Sequence, residues 1–140
     1  MSAEENKDLV RRVVDAGNKG DVSTFRGLFA DNFVHHDPAI GTLDNFLGFL
    51  GSMHAGIPDG YTTIEDMVAE GDEVAKRWTL RGTHSGELFG VPATGKEVSL
   101  PGMSIYRISG GKVTDIWWTT DTLGLLQQIG ALPRPESAGV

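Results

Sequence analysis

Residues Ser104–Gly130 read SIYRISGGKVTDIWWTTDTLGLLQQIG. Two strand-like runs flank Gly110-Gly111, and a two-glycine junction predicts a tight hairpin because both central positions take positive φ without steric cost. The second run, Lys112 to Asp121, ends in an acid close to Trp117 and Trp118 and passes at once into an apolar helical pattern, TLGLLQQIG. From Tyr61 onward apolar residues also recur with a period near two, broken by turn signals at Glu70-Gly71-Asp72 and from Pro92 to Lys96. The predicted unit is an antiparallel meander closed by a short helix.

Before Tyr61 the period lengthens to about 3.6. Leu9, Val10, Val13 and Val14 lie between charged neighbours and predict an amphipathic helix stopping between Gly17 and Gly20. Asp21 is positioned to cap a second helix with Val22, Phe25, Leu28 and Phe29 as its stripe, and a third begins near Thr42 with Leu43, Phe46, Leu47 and Leu50 inward. Between them NFVHHDP alternates and stops at Pro38, which reads as a short strand. Helices first and strands after give the α+β class: a curved antiparallel sheet around a cone-shaped cavity, with the N-terminal helices on its concave face. Residues 1–132 are expected to form one domain and residues 133–140 a flexible tail.

The chain has 140 residues, 39% of them hydrophobic, enough for one core without staples. It contains no cysteine, which removes disulfides, thiolate metal sites and thiol nucleophiles and fits a reducing compartment. No apolar run approaches the length of a membrane span, and MSAEENKDLV lacks the layout of a signal peptide, so a cytoplasmic protein is expected. A formal charge of -7, with Arg11-Arg12 and Lys76-Arg77 as the only basic doublets, argues against nucleic acid as a partner.

If Asp121 faces inward, strand alternation puts Thr119, Trp117, Asp115 and Val113 on its face and turns Trp118, Ile116 and Thr114 away. A tryptophan wall would then desolvate the carboxylate and raise its pKa into the range of a general acid/base. The competing reading makes Asp121 or Thr122 the N-cap of the last helix, where the dipole keeps an acid ionised. In His35-His36-Asp37, alternation separates His35 and Asp37 from His36, and only one set sees the pocket; a structural, backbone-bonded histidine is the alternative. His54 and His84 add no metal-ligand spacing, so no metal site is expected. Arg77, Thr79 and Arg81 share one face opposite Trp78, Leu80, Gly82 and His84; Arg77 is either solvated or a ligand for a substrate carboxylate or enolate. Leu88, Phe89 and Val91, set among Gly86, Gly90 and Pro92, suit either an apolar flap or a plain surface loop. No phosphate-cradling glycine motif or GxSxG elbow is present.

NKGD at Asn18 to Asp21, LFADNFVHHDP at Leu28 to Pro38, RWTLRGTHSGELFGVPATGKEV from Arg77 to Val98, the spacing of Ser104 to Ile108 and WWTTDTLGLLQQIG from Trp117 to Gly130 together resemble the SnoaL-like polyketide cyclase family, within the nuclear-transport-factor-2-like fold. The resemblance runs from about Glu5 to Leu132. It implies intramolecular aldol ring closure without metal or organic cofactor, with Asp121 as the acid/base and His36 and His84 as pocket histidines; His35 fills a place that is variable in such sequences. The residues expected to hold the substrate are Trp117, Met103, Phe89, Arg77 and Phe33. A related epoxide-hydrolase-like branch uses an Asp-Arg-Asp arrangement, which Arg77 followed by Thr79 does not supply.

The expected activity is thus a cyclase or isomerase on a hydrophobic carbonyl substrate such as a polyketide. A non-catalytic carrier with the same cavity is a second reading. The third is an interaction module pairing copies through an outer sheet face that carries Trp118 and Ile116, and a homo-oligomer is expected.

Overall fold

The computed structural model describes residues 2–134; the expected tail beyond residue 134 lies outside the described residues. Helix α1 (Ala3–Lys19) starts with a reciprocal capping box between Ser2 and Glu5 and stops at Gly20, whose φ of 67° is left-handed. The NKGD stretch makes this corner. Asn18 donates its side-chain amide to the Thr62 carbonyl (2.9 Å) and accepts from the Thr62 N–H (2.8 Å), while Asp21 caps helix α2 (Val22–Gly27) through the Thr24 N–H. Helix α3 (Leu43–Gly56) is capped by Thr42 and helix α4 (Thr122–Gln128) by Asp121. Phe25 is the buried anchor of α2; Val22 is exposed, and Phe29 already belongs to the next strand.

Five strands, β1 (Phe29–His35), β2 (Tyr61–Glu70), β3 (Glu73–Thr83), β4 (Glu97–Ser109) and β5 (Lys112–Thr120), form one sheet in the order β1-β5-β4-β3-β2. The meander from β2 to β5 is antiparallel as expected, whereas β1 joins β5 in parallel. Parallel pairing follows from the long connection through α3 and the meander, which brings β5 back beside β1 pointing the same way. Gly110 and Gly111 have φ of 59° and 74°, the two positive values a tight β4–β5 hairpin requires. Register shifts between Ile64 and Asp66 on β2 and between Arg107 and Ile108 on β4 mark irregularities of the kind that bend a sheet.

The second irregularity decides which residues of β5 face inward. Arg107 pairs with Asp115 and Ile108 with Val113, so an extra residue sits between them on β5 and shifts the alternation. Val113 and Ile116 therefore both enter the core. Trp118 follows Ile116 inward, packing on Phe46, Phe49 and Trp78. The expected facing of β5 is thus reversed beyond the bulge: Ile116 and Trp118 are interior, and Trp117 stacks outside on His36. The main core joins α1, α2 and α3 to this face through Leu9, Val13, Phe25, Phe29, Phe46 and Tyr106. No helix among the described residues is long and apolar enough to cross a membrane.

Candidate active site in the interior cavity

A cavity of about 360 Å³ lies between the three N-terminal helices and the concave sheet face, with Val13, Phe25 and Leu50 on the helix side and Trp78, Tyr106 and Trp118 on the sheet side. Its polar centre comes from two adjacent strands. On β3, Val74, Lys76 and Trp78 are buried while Arg77 between them is exposed. On β4, Gly102, Ser104, Tyr106 and Ile108 are buried in strict alternation. Lys76 stands directly opposite Ser104, and Trp78 opposite Gly102.

The Lys76 ammonium donates to the Tyr106 hydroxyl oxygen at 2.8 Å, and the Trp78 indole N–H donates to the Ser104 hydroxyl oxygen at 2.9 Å. Among the described residues each hydroxyl makes no further side-chain hydrogen bond, so both O–H protons are free to point into the cavity. No carboxylate pairs with Lys76 among those residues. Burial without a counterion disfavours the charged amine and pushes its pKa down to about 7. The same burial pushes the Tyr106 hydroxyl upward, keeping it a proton donor. Gly102 makes room for this arrangement: a Cβ there would lie 2.3 Å from Cζ2 of Trp78.

The residues expected from sequence lie elsewhere. Asp121 is exposed and accepts from the Gly124 N–H at 2.9 Å; it caps α4 and lies outside the cavity lining. The buried position expected for it is corrected for a backbone reason. Its φ and ψ of -83° and 62° place it beyond the strand, so alternation counted from it has no meaning. Trp117 and Met103 lie on the outer face, where both border a separate groove, and Arg77 lines that groove as well. Arg81 is also exposed, bound to Glu65, so neither arginine faces the cavity. Phe33 is buried among Phe29, Phe46 and His35 without lining the cavity.

The two histidine positions exchange roles relative to expectation. His35 is the buried one, packed on Phe46 and Trp118, because it shares a strand face with Phe33. Its Nδ1 accepts from the Asp37 N–H, leaving the proton on Nε2, and burial holds its pKa down to about 4. His36 is exposed and bonds Asp115 at 2.9 Å. His84 is fully buried but outside the cavity lining, with Nδ1 2.9 Å from the Thr94 hydroxyl, which makes it a brace for the loop after β3. In that loop Leu88 is buried, while Phe89 is exposed at a left-handed φ of 49°, so the inward anchor is Leu88. Among the described residues no three His, Asp or Glu side chains converge as a metal-ligand set.

Lys76, Tyr106 and Ser104 were not singled out by sequence reasoning. The signal was present for Lys76: a cation at the inward position between Val74 and Trp78, on a strand whose apolar period is clear.

A family model described as SnoaL-like polyketide cyclase matches residues 7–129. The chain is 32% identical over 136 residues to aklanonic acid methyl ester cyclase DnrD of Streptomyces peucetius, spanning 92% of this chain and 94% of that one. Among solved structures, AclR of Streptomyces galilaeus, described as a suspected hydroxylase, superposes with a TM-score of 0.91 at 29% identity, over 99% of this chain and 88% of AclR. IdmH of Streptomyces antibioticus, described as a suspected polyketide cyclase, gives a TM-score of 0.80 at 32% identity, over 89% and 98% of the two chains.

Proposed function

The chain belongs to the SnoaL-like polyketide cyclase family and is a cyclase-type enzyme, and from that premise we propose that it closes a ring by intramolecular aldol addition on a hydrophobic, carbonyl-bearing substrate in the interior cavity. The observation that carries this reading is the 2.8 Å contact between the buried Lys76 and Tyr106 side chains inside a chamber lined mainly by apolar residues. An amine with a pKa of about 7 is divided between free base and ammonium near neutral pH, the condition for general acid/base catalysis.

In the proposed step, neutral Lys76 takes the proton alpha to a carbonyl. Tyr106 already accepts from Lys76, so its own O–H is available to the carbonyl oxygen, where negative charge develops. The new carbon–carbon bond leaves an alkoxide, and the Lys76 ammonium returns the proton to it; the cycle needs no cofactor and is neutral in protons overall. The aromatic walls from Trp78 and Trp118 hold the chain folded, which supplies the proximity term.

DnrD is described as a cyclase of aklanonic acid methyl ester, so a polyketide ester of that kind is the first substrate to offer. Aldol closure gives a product of unchanged mass, whereas hydroxylation, the activity suspected for AclR, adds one oxygen. Chromatography with mass detection should show an isomeric product, lost in Lys76→Met and reduced by about 100-fold or more in Tyr106→Phe. Turnover that survives Lys76→Met but disappears in Asp121→Asn would move the proton chemistry to the capping acid.

A further inference from the structure

The cavity holds hydrogen-bond donors without matching acceptors. Lys76 gives one proton to Tyr106 and keeps the others, the Tyr106 and Ser104 oxygens are already used as acceptors, and Trp78 is committed to Ser104. What remains for a ligand is a buried amine and two hydroxyl protons grouped on neighbouring strands. The other ionisable groups of the lining are His54 on α3 and Asp21 at the start of α2, both exposed. The Asp21 carboxylate is taken up by Thr24, whose side chain and N–H hold its pKa below the usual range. Among the described residues no ion pair joins Lys76 to this or any other carboxylate. The Lys76 Nζ lies 5.8 Å from the centroid of the Trp78 ring and 4.9 Å from that of Tyr106, and Trp118 adds a further ring face to a wall completed by aliphatic side chains such as Leu50 and Leu100.

We propose that this cavity selects a planar apolar ligand that presents an anionic oxygen, an ionised enol, phenol or carboxylic acid, to the cluster of Lys76, Tyr106 and Ser104. The inference rests on the cyclase reading only in locating the site, and it deepens that reading by naming the form in which a substrate or product is held. An acidic 1,3-dicarbonyl would bind as its enolate against the ammonium, so the charge that the reaction creates is already accommodated.

The linkage has a definite sign. An anion beside Nζ favours the ammonium and raises the pKa of Lys76 from about 7, so above neutral pH binding draws a proton from the buffer. At pH 8 a free amine with that pKa is mostly unprotonated, and the expected uptake is roughly 0.9 proton per ligand bound.

The test uses the full chain with 2-naphthoate and its neutral counterpart 2-naphthamide as probes. Isothermal titration calorimetry at pH 6.5 should show naphthoate bound at least ~10-fold more tightly than naphthamide, a preference of the size that desolvated charge pairs give. At pH 8, titrations in phosphate and in Tris should report the proton uptake. Lys76→Met should remove the preference, so that naphthoate binds no more tightly than naphthamide. Should that variant not fold, wild type alone decides: naphthoate affinity should fall by up to about tenfold per pH unit above 7 while naphthamide stays level. Equal affinities for the two probes, a preference that persists without Lys76, zero proton uptake, or binding of neither probe at millimolar concentration would each overturn the proposal. Charge-selective binding without turnover keeps this inference and removes the cyclase mechanism; turnover without charge selectivity does the reverse.

Discussion

Burial of Lys76 makes the stability of the fold depend on pH in a way that one substitution should erase. The folded-state pKa of about 7 lies 3.5 units under the ordinary 10.5, so burying this amine costs about 5 kcal/mol at low pH, at roughly 1.36 kcal/mol per unit. Between those two values the unfolded chain binds more protons than the folded one, so stability rises with pH. The cost is fully present below pH 7 and relieved as pH approaches 10.5. From pH 7 to pH 9 the gain works out at about 2 kcal/mol. This window avoids two other groups: His35, kept neutral by burial, adds its own rise below about pH 6.5, and Tyr106, raised by burial, lowers stability only above about pH 10. Urea denaturation followed by tryptophan fluorescence should show the wild-type midpoint climbing by about 1–2 M across the window. Lys76→Met fills similar space without charge and should flatten the curve and gain stability at pH 7, even after losing its bond to Tyr106. Parallel wild-type and variant curves would refute the claim that Lys76 is buried without a counterion.

Two further substitutions probe the supports of the site. Asp121→Ala should lose about 1 kcal/mol through the missing α4 cap, while Asp121→Asn, an equally good cap, should stay near wild type in both stability and turnover; urea midpoints and the product assay check this. Gly102→Ala should destabilise by about 1–3 kcal/mol and alter near-ultraviolet circular dichroism, because the added methyl displaces Trp78 and with it the Ser104 contact; an unchanged aromatic spectrum would mean that the indole does not rest on that glycine.

Much of the scaffold was legible because it depends on local signals. The cap at Asp21, the helix start near Thr42, the glycine stop after Lys19 and the paired glycines of the last hairpin all rest on signals within a few residues. The interior was harder because it depends on strand phase, and phase needs a trustworthy origin. Counting backward from Asp121 used a residue outside the strand, and the bulge at Val113 to Asp115 shifted the count again. The parallel pairing of β1 with β5 is a long-range event that no local spacing encodes.

Better origins were available in the same sequence. Phe33 is apolar and two residues before His35, so their shared face identifies His35 as the buried histidine and leaves His36 to the outer side. On β3 the run Val74, Trp78, Leu80 fixes the inward face, and Lys76 lies on it. A charged residue at a strand end has an inexpensive explanation in capping, solvent and turn geometry. A charged residue within an apolar face has none of these and must be compensated by partners or by a ligand. Among the described residues the only partners of Lys76 are a neutral hydroxyl and aromatic ring faces. That leaves its charge for a ligand to meet, and on this ground the proton chemistry is proposed for the middle of the sheet rather than for the acid at its end.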